Sequence, residues 1–301
     1  MAGSAAWDWM VSLEMLLRDL VTVTDSLSGE VSMRKMNWIA AGLLVATVGA
    51  NVEAQAVRTN VGFTSNVFAG NDDGSIGPLG FGFAINFFGN IHSSGFLNNN
   101  GNMTFGGGDG TYTPSGITAG SRERLAPFFA DVDTRASAPV TYGTSTVNSH
   151  LAWAANWINV GFYAGRNNPT NSFQMVLIDR SDVAAGDFDF EFNFDRVLWE
   201  TGQASGGSSS GLGGSSAHMG WTNGAGTYYE NACSGVNGAC LDGAGSGLIH
   251  HSINSSVDGR YNFIVRSGHV DSGVAPEPGT IVLTASGLVG LVGFVRRRRT
   301  V

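Results

Sequence analysis

Two aspartates separated by one residue form the most distinctive chemical spacing in the chain. Asp131 and Asp133 lie in an extended stretch, where side chains two positions apart point to the same side. Paired carboxylates are hard oxygen ligands that suit Ca²⁺, and the run Asn71-Asp72-Asp73-Gly74 could supply more of them. The alternative is that Asp131 and Asp133 accept backbone donors or pair with Arg135. We favour this alternative and expect no cofactor, because the chain has no EF-hand or repeat-type calcium loop.

The other reactive side chains lack the partners that catalysis needs. His250-His251 is the one histidine pair, and His218 could join it, yet no frame of acidic partners accompanies them. Residues 207–211 spell Gly-x-Ser-x-Gly but lie in Gly/Ser-rich sequence without a strand–turn–helix context. The carboxylates of residues 187–195 alternate with phenylalanine, which explains them as one face of a strand and not as a glycosidase pair. We therefore expect the protein not to be an enzyme.

The composition excludes several classes of protein. The 301 residues include 44 glycines and one lysine, Lys35, and the formal net charge is −8. So little lysine argues against a soluble cytosolic helical protein, and 43% hydrophobic residues argue against wholesale disorder. Residues 57–275 carry the negative excess, with 9 arginines and 17 acidic residues, so we expect no nucleic-acid partner. A β-rich, turn-rich globular protein remains.

The segment 1–56 predicts a secretory signal peptide behind an extra leader. A basic segment, Met33-Arg34-Lys35-Met36, precedes a short apolar run and the small-residue pattern Ala54-Gln55-Ala56. Residues 33–56 are therefore predicted to be the signal peptide, in a helix, with cleavage after Ala56. Residues 1–32 are acidic, unlike the start of a signal peptide, and we interpret them as a mis-assigned leader. The alternative is a genuine amphipathic helix.

The last residues, 275–301, combine three features in a fixed order. Pro276-Glu277-Pro278 is followed by an apolar stretch, 280–295, that predicts a transmembrane helix of marginal length. A cluster of arginines comes next and favours the cytoplasmic side of a membrane. The arginines are Arg296, Arg297, Arg298 and Arg299. This order resembles the PEP-CTERM sorting signal of Gram-negative bacteria, in which an exosortase recognises the tripeptide and is thought to remove the tail. The alternative is an ordinary membrane anchor.

The two cysteines are predicted to form a disulfide. Cys233 and Cys240 lie close together in the sequence, and close cysteines in an exported chain usually pair. Two cysteines alone cannot complete a zinc site, and the Cys-x-x-Cys spacing of redox sites is absent.

Strand patterns fill the central region. The strictest is Asp187–Asp195, where phenylalanine alternates with polar residues, so that Asp189, Glu191 and Asn193 are predicted to face water. The apolar run Phe173–Asp179 precedes it and predicts a hairpin. Further strands are predicted at Phe81–Phe87, Met103–Phe105, Leu125–Phe129, Trp157–Tyr163, Ala217–Trp221 and Tyr261–Arg266.

Turn residues complete the prediction of an all-β fold. Asn100-Gly101 is a strong hairpin-turn pair, and residues 202–216 are a Gly/Ser-rich tract typical of a flexible surface loop. Many short strands between such turns indicate a sandwich or barrel, of which we predict sandwich-like antiparallel sheets with long Gly/Asn-rich loops. One signal helix and one hydrophobic helix would flank this fold.

The central region resembles the NIDO domain, the extracellular module of nidogen and alpha-tectorin. The resemblance begins with apolar-Pro-aromatic-aromatic-Ala-Asp-x-Asp, at 126–133, and ends with an apolar-x-Trp-x-Thr-Gly turn. Its five blocks occur in order at 125–135, 157–163, 171–174, 187–195 and 197–202. We accordingly divide the body into an N-terminal β part, 57–124, and a NIDO-like domain, 125–268. The Gly/Ser tract and the cysteine segment depart from the family pattern.

The two resemblances imply a function. NIDO modules are associated with cell–matrix adhesion and have no established catalytic activity, and PEP-CTERM proteins tend to accompany exopolysaccharide and biofilm matrix. We expect an exported adhesion or structural protein whose partners are an exosortase and an extracellular protein or polysaccharide. It would pass through the inner membrane, held by its C-terminal helix before processing, to the cell surface or matrix. The alternatives are a secreted polysaccharide hydrolase and a Ca²⁺-dependent glycan-binding module.

Overall fold

The computed structural model describes residues 55–271, which form strands and three short 3₁₀ helices. The first seven strands are β1 (Asn66–Phe68), β2 (Ser75–Phe87), β3 (Asn90–Asn98), β4 (Asn102–Thr104), β5 (Arg124–Phe129), β6 (Val132–Asp133) and β7 (Val140–Val147). The others are β8 (His150–Phe162), β9 (Arg166–Asp179), β10 (Phe188–Arg196), β11 (His218–Thr222), β12 (Tyr228–Glu230), β13 (Arg260–Arg266) and β14 (His269–Asp271). The 3₁₀ helices are Val61–Thr64, Gln203–Ser205 and Leu248–His250.

The strands form two antiparallel sheets. The larger sheet has the order β1-β7-β8-β9-β10-β13-β14, and β6 adds to β8. The smaller sheet has the order β12-β11-β5-β4-β3-β2. The all-β class and the antiparallel sandwich predicted from the sequence are confirmed for this part of the chain. The smaller sheet contains strands from both sides of residue 125, so segments 57–124 and 125–268 build one sheet together.

Phenylalanine alternation in β10 supplies one inner wall of the sandwich. β9 and β10 form the predicted hairpin, and β13 pairs with the other edge of β10. Phe190 lies 4.8 Å from Phe263 between ring centroids, in a stacked arrangement. Phe173 of β9 lies 5.2 Å from Phe128 of β5, which belongs to the opposite sheet. The core between the sheets is therefore rich in aromatic contacts, which add about 0.5–1.5 kcal/mol per pair to the burial of area.

The polar face of β10 is buried, so the prediction that it faces water is wrong. Asp189, Glu191 and Asn193 are 8%, 3% and 0% exposed. Arginines from other parts of the chain lie against this face. Arg58, in the segment that leads into β1, forms a bidentate contact with Glu191 at 2.6 and 2.7 Å, and Arg180 and Arg266 pair with Asp189. Alternation showed correctly which residues share a face, but it could not show what covers that face.

The Gly/Ser tract 202–216 is a packed loop. Gly211 has a positive φ of 77°, and an added Cβ there would collide with the Cβ of Trp199. Gly214, also at positive φ, lies against the backbone of Ser205 and Gly206. In this tract glycine permits close backbone approach, which composition alone does not distinguish from flexibility.

The predicted signal peptide, sorting tail and flanking helices lie outside the described residues. Within residues 55–271, no helix is long and apolar enough to span a bilayer.

Candidate functional site

The site forms where the chain passes from one sheet to the other. β5 belongs to the smaller sheet and β6 to the larger one, with only Ala130 and Asp131 between them. Each side of this crossing is fixed by backbone bonds, because Ala130 N donates to Asn100 O and Tyr163 N donates to Asp131 O. Asp131 is therefore held between the layers, and its side chain is only 1% exposed.

The fold brings three aspartates together at this crossing. Carboxylate oxygens of Asp72, Asp73 and Asp131 all lie within 4.8 Å of one another. Asp72 and Asp73 lie in the loop between β1 and β2, and four strands, β2 to β5, separate this loop from the crossing. Among residues 55–271 this is the one group of three or more acidic, histidine or cysteine side chains arranged so that they could hold a metal ion.

Buried asparagines hold the loop and the crossing in register. Asn99 and Asn100 lie in the turn between β3 and β4, and both are buried. The Asn99 amide donates to the carbonyl oxygens of Asp72 and, at 2.6 Å, Val132. The Asn100 amide donates to Asp73 Oδ1 at 2.9 Å, while its own side-chain carbonyl oxygen accepts from Val132 N. The predicted Asn100-Gly101 turn therefore also positions the acidic side chains.

Mutual proximity and burial make these carboxylates hard to ionise. Burial, followed by the charges of Asp72 and Asp73, raises the pKa of Asp131 to about 7. Burial, followed by the charges of Asp133 and Asp73, raises the pKa of Asp72 to about 6. A positive charge among them would favour the ionised forms.

Asp133 has a different role from Asp131. Its carboxylate accepts from Arg135 Nε at 2.9 Å and Nη2 at 2.6 Å, and from the backbone N of Gly165 at 2.7 Å. Burial raises the pKa of Asp133, but the hydrogen bonds from Arg135 and Gly165 outweigh burial and hold that pKa below its ordinary value. Asp133 thus pairs with Arg135, which is the alternative that we favoured from the sequence. Asp131 instead lies next to Asp72 and Asp73 of the 71–74 run.

The cysteine segment is closed into a loop by its disulfide and is held to the domain by a buried glutamate. Cys233 and Cys240 are bonded, as predicted. Between them, Gly238 N donates to the carboxylate of Glu200, which is fully buried. Sequence reasoning did not single out Glu200 or Asn99, and it identified Asn100 only as a turn residue. The run Asn98-Asn99-Asn100-Gly101-Asn102 is the signal that could have indicated the buried asparagines.

The histidines and the Gly-x-Ser-x-Gly serine take structural positions. His250 Nε2 and His251 Nε2 contact the backbone carbonyl oxygens of Asp242 and Gly245, at 2.7 and 2.9 Å. His218 Nδ1 lies 2.7 Å from Glu230 Oε1. Ser209 lies exposed in the Gly/Ser loop.

The chain is similar to one family model and to several curated sequences. Residues 143–267 match the family model of the nidogen-like domain, NIDO. Mouse and human alpha-tectorin are each 28% identical over 226 residues, which is 66% of this chain and 10% of the relative. Chicken alpha-tectorin is 30% identical over 210 residues, which is 61% of this chain and 10% of the relative. The chain thus spans about a tenth of the length of these curated relatives.

No solved structure matches the chain. The nidogen-like domain indicated by the sequence is supported by the family model and by the relatives. The matched region contains β8, β9, β10 and β13 of the larger sheet, together with most of β7, and it contains β11 and β12 of the smaller sheet. The three-aspartate cluster lies upstream of it.

Proposed function

We propose that this protein is an exported, non-enzymatic adhesion or structural protein. The observation that carries the proposal is the match of residues 143–267 to the nidogen-like domain. The resemblance found in the sequence associates domains of this family with cell–matrix adhesion. The bonded pair Cys233–Cys240 supports export independently, because structural disulfides persist mainly in oxidising compartments outside the cytosol.

Side-chain pairing supports a role other than hydrolysis. A glycosidase needs two carboxyl groups free to donate a proton and to attack or activate water. In β10, Glu191 is paired with Arg58, and Asp189 is paired with Arg180 and Arg266 at 3.0 and 2.7 Å. Such pairing suits carboxylates that stabilise the sheet. The test is an assay for hydrolysis of matrix polysaccharides, in which turnover that one carboxylate substitution abolishes would contradict the proposal.

The sorting route forms the finer part of the proposal. The tail 275–301 would hold the chain in the inner membrane of a Gram-negative bacterium until an exosortase recognises Pro276-Glu277-Pro278. The protein would then pass to the cell surface or to an exopolysaccharide-rich biofilm matrix. The support is the order of tripeptide, apolar stretch and terminal arginines in the sequence.

Two variants separate exosortase sorting from plain membrane anchoring. Deletion of residues 276–301 removes both the signal and the anchor, whereas replacement of Pro276-Glu277-Pro278 by three alanines keeps the apolar stretch and the arginines. Sorting predicts that the deleted form accumulates elsewhere and that the triple-alanine form retains its tail, as intact-protein mass spectrometry would show. Normal processing of the triple-alanine form would contradict recognition of the tripeptide.

The mature N-terminus gives a separate test of export. Cleavage after Ala56 would leave Val57 as the first residue. The backbone nitrogen of Val57 lies 2.9 Å from Asp195 Oδ1, so a new terminal ammonium group would have a carboxylate partner in place. Mass spectrometry of the secreted protein should find Val57 at the N-terminus, and a mature chain that retains residues 33–56 would contradict the predicted signal peptide.

Adhesion itself is tested by binding. Purified full-length protein should be retained on extracellular matrix from the producing cells, and polysaccharide digestion and protease treatment of that matrix identify the class of partner. Retention lost after one treatment assigns the partner to that class. No retention on untreated matrix would contradict an adhesive role.

A further inference from the structure

The three-aspartate cluster holds more negative charge than the described residues around it neutralise. Arg135 pairs with Asp72 at 3.1 Å and with Asp133 at 2.6 Å, and it does not pair with Asp73 or Asp131. Among the described residues, the carboxylate of Asp73 accepts a hydrogen bond only from the neutral side-chain amide of Asn100. Within residues 55–271, the positive charge near the crossing is therefore smaller than the negative charge of the carboxylates there.

Asp131 is a buried carboxylate that lacks an adequate partner. It is 1% exposed, and within residues 55–271 its Oδ1 accepts no hydrogen bond. Its Oδ2 lies 3.3 Å from Ser205 Oγ, but that hydroxyl has a single hydrogen and also lies 3.3 Å from Thr113 Oγ1 and 3.4 Å from Tyr112 O. A buried ionised carboxylate with so little compensation is unfavourable unless a cation binds it.

Asp72 provides a second oxygen without a partner at the same place. Its Oδ1 is buried and has no hydrogen-bond partner among the described residues. Its Oδ2 pairs with Arg135. Two carboxylates from distant segments therefore each bring one unsatisfied oxygen to the cluster, although the chain is rich in amide and hydroxyl donors there.

We propose that Asp72, Asp73 and Asp131 bind one Ca²⁺ ion, which fastens the 71–74 loop to the crossing between β5 and β6. Ca²⁺ binds oxygen ligands at 2.3–2.6 Å, so two ligands of one ion stand at most about 5 Å apart. The 4.8 Å spread of the three carboxylates fits this coordination sphere. All three ligands are hard carboxylate oxygens, which favours Ca²⁺ over zinc or copper.

The site would fix structure next to the nidogen-like domain. Asn99 and Asn100 already hold the backbone of the loop and of the crossing, so the carboxylates are positioned before the ion arrives. The ion would complete an attachment between segments that lie far apart in the sequence. This role does not depend on export or adhesion and can fail or succeed separately from them.

The test uses the full-length protein, stripped with EDTA and then freed of the chelator. Isothermal titration with CaCl₂ should give one site per chain, and CaCl₂ should raise the melting temperature more than MgCl₂ or NaCl of equal ionic strength. Asp131→Asn keeps the side-chain shape and should weaken Ca²⁺ binding by more than about tenfold, because ligand charge sets affinity at such sites. Asp258→Asn, at an exposed aspartate, is the matched control and should bind as the native protein does.

A folding control keeps the result interpretable. Without Ca²⁺, Asp131→Asn should melt at the same or a higher temperature than the stripped native protein, because it removes an uncompensated charge. Absence of both heat and melting shift at about 10 mM Ca²⁺, above the affinity range of weak extracellular sites, would overturn the proposal. An equal response to Mg²⁺, or Asp131→Asn binding Ca²⁺ like the control, would also overturn it.

Discussion

The carboxylate of Asp131 packs directly against the α-carbon of Gly202, and no side chain fits at position 202. A Cβ added to Gly202 would overlap the side chain of Asp131. Gly202 has an extended conformation, φ −82° and ψ 162°, so glycine is needed for space and not for its backbone freedom. The contact joins the first and last blocks of the sequence resemblance, 125–135 and 197–202.

Gly202→Ala should therefore destabilise the protein. Overpacking at a filled site costs about 1–3 kcal/mol in free energy of unfolding. The measurement is urea denaturation followed by intrinsic tryptophan fluorescence. Gly243→Ala is the control, because an added Cβ there meets nothing within 4 Å. Equal unfolding free energies of the two variants would contradict this prediction, because they would show that the surroundings of residue 202 accommodate the added methyl group.

Removal of the disulfide should weaken the fold without abolishing it. The bond between Cys233 and Cys240 closes a short loop, and loop-closure entropy assigns such a bond roughly 2–3 kcal/mol. Cys233→Ser/Cys240→Ser should therefore melt at a lower temperature than the native protein. Reducing agent should lower the native melting temperature similarly and leave the double variant unchanged. A native melting temperature insensitive to reductant would contradict this contribution.

Arg58 should contribute to stability through the buried face of β10. Arg58→Met leaves Glu191, which is 3% exposed, without its bidentate partner. We expect the free energy of unfolding to fall by about 3 kcal/mol. This is the low end for a broken buried ion pair, because Arg260 remains 4.0 Å from Glu191. Chemical denaturation measures the loss.

A double-mutant cycle separates the ion pair from simple packing. Arg58→Met/Glu191→Met removes both charges and should be more stable than Arg58→Met alone, since the uncompensated carboxylate is gone. Arg166→Met, at an exposed arginine, serves as the matched control. If the changes in unfolding free energy caused by Arg58→Met and by Glu191→Met simply add in the double variant, the two side chains do not stabilise the protein as a pair.

Glu200 should make stability depend on pH. Burial raises the pKa of Glu200, and the hydrogen bond from the Gly238 amide only partly offsets this effect. Between the ordinary glutamate pKa and this raised value, the folded protein holds a proton that the unfolded chain has lost. The contribution of Glu200 to stability therefore falls as pH rises through that window and is constant above it.

Glu200→Gln isolates this contribution. The glutamine keeps an oxygen that can accept from Gly238 but does not titrate. The difference in unfolding free energy between Glu200→Gln and the native protein should favour the variant increasingly as pH rises through the window. Urea denaturation at several pH values measures it, and a difference that does not change with pH would contradict the assigned pKa direction.

Local patterns in the sequence located several elements of the fold, although no predicted strand corresponds to β3 or β7. Period-two alternation located β10 and its inward phenylalanines, and Asn100-Gly101 located a hairpin turn. The short spacing of Cys233 and Cys240 indicated their disulfide. Each of these features depends on residues close together in the chain, where pattern and geometry are directly linked.

Only the tertiary structure decided what covers each face and which charges meet. Arg58 reaches Glu191 from a distant part of the chain and buries a face that alternation alone assigned to water. The sequence placed Asp131 and Asp133 side by side, but the sheet crossing sends Asp133 to Arg135 and Asp131 to Asp72 and Asp73. The physical reason is that burial and charge pairing depend on the packing of distant segments, which local periodicity does not encode.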